Sequence, residues 1–305
     1  MKRSVFVQQQ GVECDFTGSD LWVILSPIEQ SIKRKIEAVG VPLKDWDINI
    51  YRGVLTGYND AFIISTEKRN EIPANCQTEE ERSKTAELIR PILRGRDIKR
   101  YGYDWAGLYL IATFPSRHYD IEMFPAVKRN LLSFGIERLE QTGKTHIVNG
   151  KNVKARKKTN NKWFETQDSI SYWEDFLRPK IVWKRVGSIL RFCYNNNGAL
   201  GLDSTCFATG KNIEFICCVL NSPMGHYLLK DAPKTGTGDL LISVQAVEPI
   251  KIPMITKEQN FIFEEALKEL IDYSSTEKEK EISHKVFDLY NLSHDEQKYI
   301  ENNFT

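Results

Sequence analysis

The sequence of 305 residues predicts a mixed α/β (α+β) chain, and three observations carry that reading. Helix starts are marked by Ser26/Glu29, Thr78/Glu81 and Ser293/Glu296, each spaced as a capping box. Short alternating apolar stretches, bounded by glycine and proline, lie between the helical segments and read as strands. A composition of 41% hydrophobic and 27% charged residues argues against wholesale disorder, collagen and coiled coil. The length suits one large domain or two modest ones.

Residues 1–19 are polar, lack a period and read as a linker or arm. Residues 21–25 form a short apolar segment. Ser26 then caps a helix that Pro27 opens, striped by Ile28, Ile32, Ile36 and Val39 and stopped by Gly40 and Pro42. Residues 47–51 and 61–64 read as strands, joined by a loop over 52–60 that holds Gly53 and Gly57. Thr78 opens a helix expected to carry Ala86, Ile89 and Leu93 into the basic stretch 90–100. Residues 108–114 read as a strand, and Pro125 opens a helix bearing Val127, Leu131 and Phe134.

Residues 143–162 are polar and basic, so a long mobile loop is expected there. Residues 180–185 and 188–194 read as a strand pair turning at Gly187. Residues 213–220 read as an apolar helix, Ser222-Pro223 starts another, and 231–239 is loop. Beyond Pro253 the pattern is helical. Phe263, Ala266, Leu267, Leu270 and Ile271 make one face, and Ile282, Val286, Phe287 and Tyr290 another. No internal repeat or low-complexity tract appears.

Several functions are disfavoured. The longest uncharged apolar run, residues 215–220, is far short of the roughly 20 residues of a membrane helix. Three glutamines at 8–10 stand where a signal peptide needs apolar residues, so a cytoplasmic chain is expected. Cys14, Cys76, Cys193, Cys206, Cys217 and Cys218 form no Cys-x-x-Cys pair and read as reduced, buried thiols. The five histidines are scattered, which argues against structural zinc. No Asn-Pro-Pro-Tyr motif or cofactor-binding glycine loop of a methyltransferase occurs. Gly236-Thr-Gly238 lacks the Lys-Ser/Thr of a phosphate loop. Glu174, Asp175 and Lys180 have the chemistry of a metal nuclease but not its order. No catalytic residue and no metal ligand is therefore assigned.

The charge distribution is more informative than the net charge of +1. From Thr256 onward six lysines face twelve acids, giving −6, so the preceding 255 residues carry +7. A basic body with an acidic tail suggests a polyanion as partner of the body. Three segments concentrate the positive charge: Arg90, Arg94, Arg96, Lys99 and Arg100; then Lys144, Lys151, Lys154, Arg156, Lys157, Lys158 and Lys162; then Arg178, Lys180, Lys184, Arg185 and Arg191. Each is either a solvated face or a phosphate-contacting surface. Asn160, Asn161, Asn195, Asn196 and Asn197 could read base edges or serve turns.

Lys44-Asp-Trp-Asp-Ile-Asn-Ile-Tyr-Arg-Gly-Val-Leu-Thr-Gly-Tyr-Asn-Asp-Ala-Phe-Ile63 resembles the opening of the TaqI-like C-terminal specificity domain. This is the target-recognition domain of type IIG restriction–modification enzymes. Ile92-Leu-Arg-Gly-Arg-Asp-Ile-Lys-Arg-Tyr101 is similar to that family's next signature. Asn221-Ser222, Thr235-Gly-Thr-Gly-Asp239 and Ile250-Lys-Ile-Pro253 resemble a stretch shared with type I specificity subunits. Val286-Phe-Asp-Leu-Tyr-Asn-Leu-Ser-His-Asp-Glu296 resembles the closing helices of type IIG polypeptides.

The resemblance implies a twisted sheet with packed helices and long DNA-facing loops over residues 20–255, followed by a small C-terminal helical element over 256–305. It implies double-stranded DNA as partner, together with an adenine-specific methyltransferase/nuclease module, fused or separate, and no membrane. S-adenosylmethionine and Mg2+ would belong to those catalytic modules and not to this chain, which would itself be non-catalytic. The competing reading is a divergent nuclease or methyltransferase.

The candidate DNA contacts are Arg52, Thr56, Tyr58, Asn59, Arg94, Arg96, Lys99, Arg100, Lys154, Arg156, Lys157, Lys158, Lys184, Arg185, Lys234 and Thr235. For the loop of Arg52, Thr56, Tyr58 and Asn59 the alternative is a tight turn. For Arg94-Gly-Arg-Asp97 it is an internal pin, with Asp97 holding an arginine.

Overall fold

A computed structural model describes residues 25–273 and 275–304. The expected arm, most of the apolar segment 21–25, and Cys14 lie outside the described residues. The architecture is mixed α/β, with two four-stranded sheets at its centre.

The central sheet runs in the order Phe192–Asn195, Lys180–Lys184, Thr205–Gly210, Ile48–Arg52, every neighbour antiparallel. Alternation along the strands sends residues to opposite faces. Ile181, Trp183, Cys206 and Ala208 enter one core with the helices Pro27–Val39, Ile213–Asn221, Lys257–Asp272 and Thr276–Leu289. Val182 and Phe207 enter a second core with the other sheet. Both faces are thus covered, which explains why Lys180–Lys184 and Thr205–Gly210 are buried almost throughout.

The second sheet has the order Leu200–Gly201, Ile89–Leu93, Leu108–Ile111, Ile63–Ser65, with its first pair parallel. The acidic C-terminal helices join the first core through Phe263, Leu267, Val286, Phe287 and the wholly buried Tyr290. Glu296 fastens the last helix, His294–Asn303, to the first. It accepts from Ser31 Oγ and Lys35 Nζ, each at 2.6 Å.

Some elements differ from expectation. The helix from Thr78 stops at Leu88 and Ile89–Leu93 is a strand, because Pro91 disfavours helical backbone at Arg90. Ala61 and Phe62 belong to a single helical turn, Asn59–Phe62, and the strand begins at Ile63. The strand expected over 108–114 ends at Ile111. Gly187 is not a hairpin turn: Val186–Gly187 is itself a short strand, paired with Leu240–Leu241. The expected loop 143–162 instead contains a hairpin, Thr145–Val148 with Lys151–Lys154. The five described cysteines are buried and unpaired.

Candidate nucleic-acid interface

Topology gathers positive charge at one end of the central sheet. Ile48–Arg52 and Lys180–Lys184 both run antiparallel to Thr205–Gly210, so both finish where that strand starts. Arg52, Lys184 and Arg185 therefore share one rim with the turn at Asp203 and Ser204. The second sheet ends there too, since Leu202 N donates to Leu93 O and Gly95 N donates to Ser204 Oγ at 3.0 Å. Arg96 follows on that turn and is exposed. The pairing of Val186–Gly187 with Leu240–Leu241 brings Lys234 and Thr235 alongside, with Lys234 exposed.

Two carboxylates lie within this basic rim. Asp203 sits 3.6 Å from Arg52 Nη2. Burial raises the Asp168 carboxyl pKa, and Asp203 adds to the rise, while Arg52 and Lys157 oppose it. The Nε of Arg52 and of Arg185 are solvent-excluded without a hydrogen-bond partner, so neither guanidinium is fully committed to the protein. Among the described residues no group of three or more His, Cys, Asp or Glu could hold a metal ion.

The loop after Arg52 is tied to protein. Gly53 is required by close backbone approach, since a Cβ there would lie 2.1 Å from the Leu202 carbonyl oxygen. Thr56 is withdrawn as a DNA contact: it is fully buried, with its hydroxyl donating to Asn59 Oδ1 at 2.6 Å. Tyr58 is half-buried beneath the Arg138 guanidinium, 4.1 Å from the ring centroid. Asn59 is exposed at the head of its helical turn.

Arg156 is withdrawn as well. Its side chain is buried and donates to the carbonyls of Leu139, Thr56, Glu165 and Trp163 at 2.6–2.9 Å. Burial lowers its pKa to about 10, which leaves it charged near neutral pH. Lys154, Lys157 and Lys158 around it are exposed.

The pinning alternative describes Arg94: Asp97 accepts from its backbone N at 2.8 Å and from Nη2 at 2.7 Å. Lys99 pairs with Asp104. Arg100 is exposed, but its guanidinium donates to Asn221 O at 2.8 Å and lies 3.2 Å from Glu279 of a C-terminal helix, so it is engaged by protein.

Two further basic-segment readings change. Lys180 is buried, with Nζ donating to Phe176 O and to Asn195 Oδ1, each at 2.7 Å. Asn195 is therefore a buried partner and not a base reader. Asn161 holds the backbone of Thr166 and Gln167.

The hairpin that replaces the expected loop has a signal in the sequence. Val148-Asn-Gly-Lys151 is an Asn-Gly turn between alternating residues, and Asn149 and Gly150 both have positive φ, as a type I′ turn requires.

The site is thus a rim of loops at the end of a covered sheet, with Arg52, Arg96, Lys184, Arg185 and Lys234 around Asp203 and Asp168. The model of the TaqI-like C-terminal specificity domain matches residues 90–247, about half the chain, and the chain belongs to that family. No curated protein matches it. Among solved structures it is similar to the type IIL restriction–modification enzyme MmeI in complex with DNA, at 9% identity and a TM-score of 0.52. That match covers 87% of this chain and 36% of MmeI. The type IIG restriction endonuclease BpuSI matches at 12% identity and a TM-score of 0.45, over 89% of this chain and 34% of BpuSI. The chain thus spans about a third of the length of these enzymes. Among the described residues no helix is long and apolar enough to cross a membrane.

Proposed function

We propose that this chain is the DNA target-recognition part of a type IIG-like restriction–modification system. Membership of the specificity-domain family carries the reading. The matched region includes the strands and turns that place Lys184, Arg185, Arg96 and Lys234 on one rim, and Arg52 joins them from outside it. Their charge suits phosphate contacts, which hold a protein in register on duplex DNA.

In this reading the chain is non-catalytic. An adenine-specific methyltransferase and a nuclease module, fused or separate, would supply S-adenosylmethionine and Mg2+ chemistry. Residues 256–305 would close the body rather than touch DNA, since their −6 charge repels phosphate. Filter binding of the purified chain to duplex DNA at two salt concentrations tests the proposal. Binding that falls steeply with salt, without methyl transfer or cleavage, supports it. Absence of binding at low salt overturns it.

A further inference from the structure

The hairpin of Thr145–Val148 and Lys151–Lys154 packs on the helical turn Ile136–Leu139 and carries a face that the fold does not use. Thr145 is paired with Lys154 and Ile147 with Asn152, so these four side chains share one face. All four are exposed, and Ile147, at 80%, is the most exposed large apolar residue among those described. The opposite face looks toward the body, where His146 Nε2 lies 3.4 Å from Glu140. The Asn152 amide makes no side-chain hydrogen bond, and Lys144, Lys151 and Lys154 pair with no acid among the described residues.

The root of the hairpin is firmly held. Arg138 Nη1 donates to Lys154 O at 2.8 Å, and Ala155 N donates to Lys144 O. Arg156, two residues past the second strand, is bolted to Thr56 in the loop that leaves Arg52. The ribbon is therefore anchored to the same loop system as the basic rim.

Size and chemistry then select its partner. Two strands roughly 4.8 Å apart, with their side chains, span about 10 Å; this suits the roughly 12 Å major groove and exceeds the roughly 6 Å minor groove. An asparagine amide offers the donor and acceptor that match adenine, and an aliphatic side chain packs on the thymine methyl. Lys154 on the same face, with the exposed Lys157 and Lys158 just beyond it in the chain, suits the phosphates at a groove edge. Resting on the DNA-recognition reading above, we infer that this hairpin is a base-reading ribbon for the major groove, with Asn152 and Ile147 facing A·T base pairs.

Selection of duplexes from a random library by the full 305-residue chain, followed by sequencing, tests this. The wild type should enrich a motif containing A·T pairs. Asn152→Ala and Ile147→Ala should each weaken preference at one or two adjacent positions by roughly 5- to 100-fold, leaving other positions and the melting temperature unchanged. Asn152→Asp should disfavour adenine and move the preference at its position toward cytosine, whose amino group a carboxylate accepts. A motif unaltered in all three variants, or affinity lost equally for every sequence, overturns the ribbon's reading role and leaves the proposed function standing. A wild-type chain that binds duplex but enriches no sequence overturns the ribbon's reading role, and one that binds no duplex overturns both.

Discussion

Arg156 Nη1 donates a 2.9 Å hydrogen bond to the carbonyl of Thr56, joining the basic hairpin region to the loop that leaves the central sheet. Three other carbonyls complete the coordination of the same guanidinium. Two positions that look like DNA contacts in the sequence are therefore one internal joint. It ties the chain that follows the hairpin to the loop that follows Arg52, and the exposed lysines around it are left to face solvent.

Arg156→Ala should destabilise the protein by roughly 3 kcal/mol or more, because four carbonyls, three of them in buried hydrogen bonds, lose a charged donor together. Arg156→Lys should also be strongly destabilising, since an ammonium cannot reproduce the planar fork that reaches four oxygens. Urea unfolding of both variants measures this. A midpoint equal to wild type for either variant would show that the joint carries no stability.

Much of the fold was legible because its signals are local. Ser26 with Glu29 and Ser293 with Glu296 close the capping boxes that their spacing announces. Phe263, Ala266, Leu267 and Leu270 enter the first core as their period requires, as do Ile282, Val286, Phe287 and Tyr290, whereas Ile271 at the edge of the first stripe is exposed. At Thr78 only half of the box forms, because the Glu81 carboxylate turns to Gln77 N and Ala126 N instead. The site was less legible because burial of a charge depends on distant partners. Nothing near Arg156 in sequence distinguishes it from Lys157, and the Thr56 carbonyl that claims it lies 100 residues away. Lys180 is similar: its partner Asn195 comes from the neighbouring strand. The hairpin is hard to read for a different reason: the lysines of 144–162 have the composition of a flexible loop, and the structural information lies in the single Asn149-Gly150 turn.

Asp97→Asn should cost about 2 kcal/mol and leave DNA binding intact. Asp97 is buried and accepts from Arg94 through backbone and side chain, and this hydrogen bonding raises the Arg94 pKa. Removing the carboxylate charge strands a mostly buried guanidinium. A double-mutant cycle with Arg94→Met should return a coupling of roughly 1–3 kcal/mol. Additive effects of the two substitutions would rule out the pin.

Stability should rise with pH through a window set by Lys180. Burial lowers its pKa from 10.5 to about 7. Between those values the unfolded chain binds the proton and the folded chain does not, so raising the pH favours folding. Below about 7 both states are protonated, and the cost of a buried charge is felt in full. Lys180→Met removes this linkage. Relative to the variant, the wild type should gain stability as the pH is raised from 7 toward 10. Denaturant midpoints measured in parallel check this, and a constant difference between the two proteins would contradict it.

The last test separates exposed charge from structural charge within one segment. Lys154, Lys157 and Lys158 are exposed and make no ion pair among the described residues, whereas Arg156 between them is buried. Changing the three lysines together to alanine should leave the melting temperature within about 2 °C of wild type, because unpaired surface charges contribute little to folding. If they contact phosphates, affinity for all duplexes should fall alike. The slope of log K against log salt should flatten by about 2 to 3, near 0.9 per lost contact. Arg156→Ala should show the reverse pattern in melting, with a large loss of stability. A triple variant with wild-type affinity and slope would place these lysines on a solvated face away from DNA. A triple variant that unfolds would instead show that the surroundings of Arg156, and not its own four hydrogen bonds, hold the joint together.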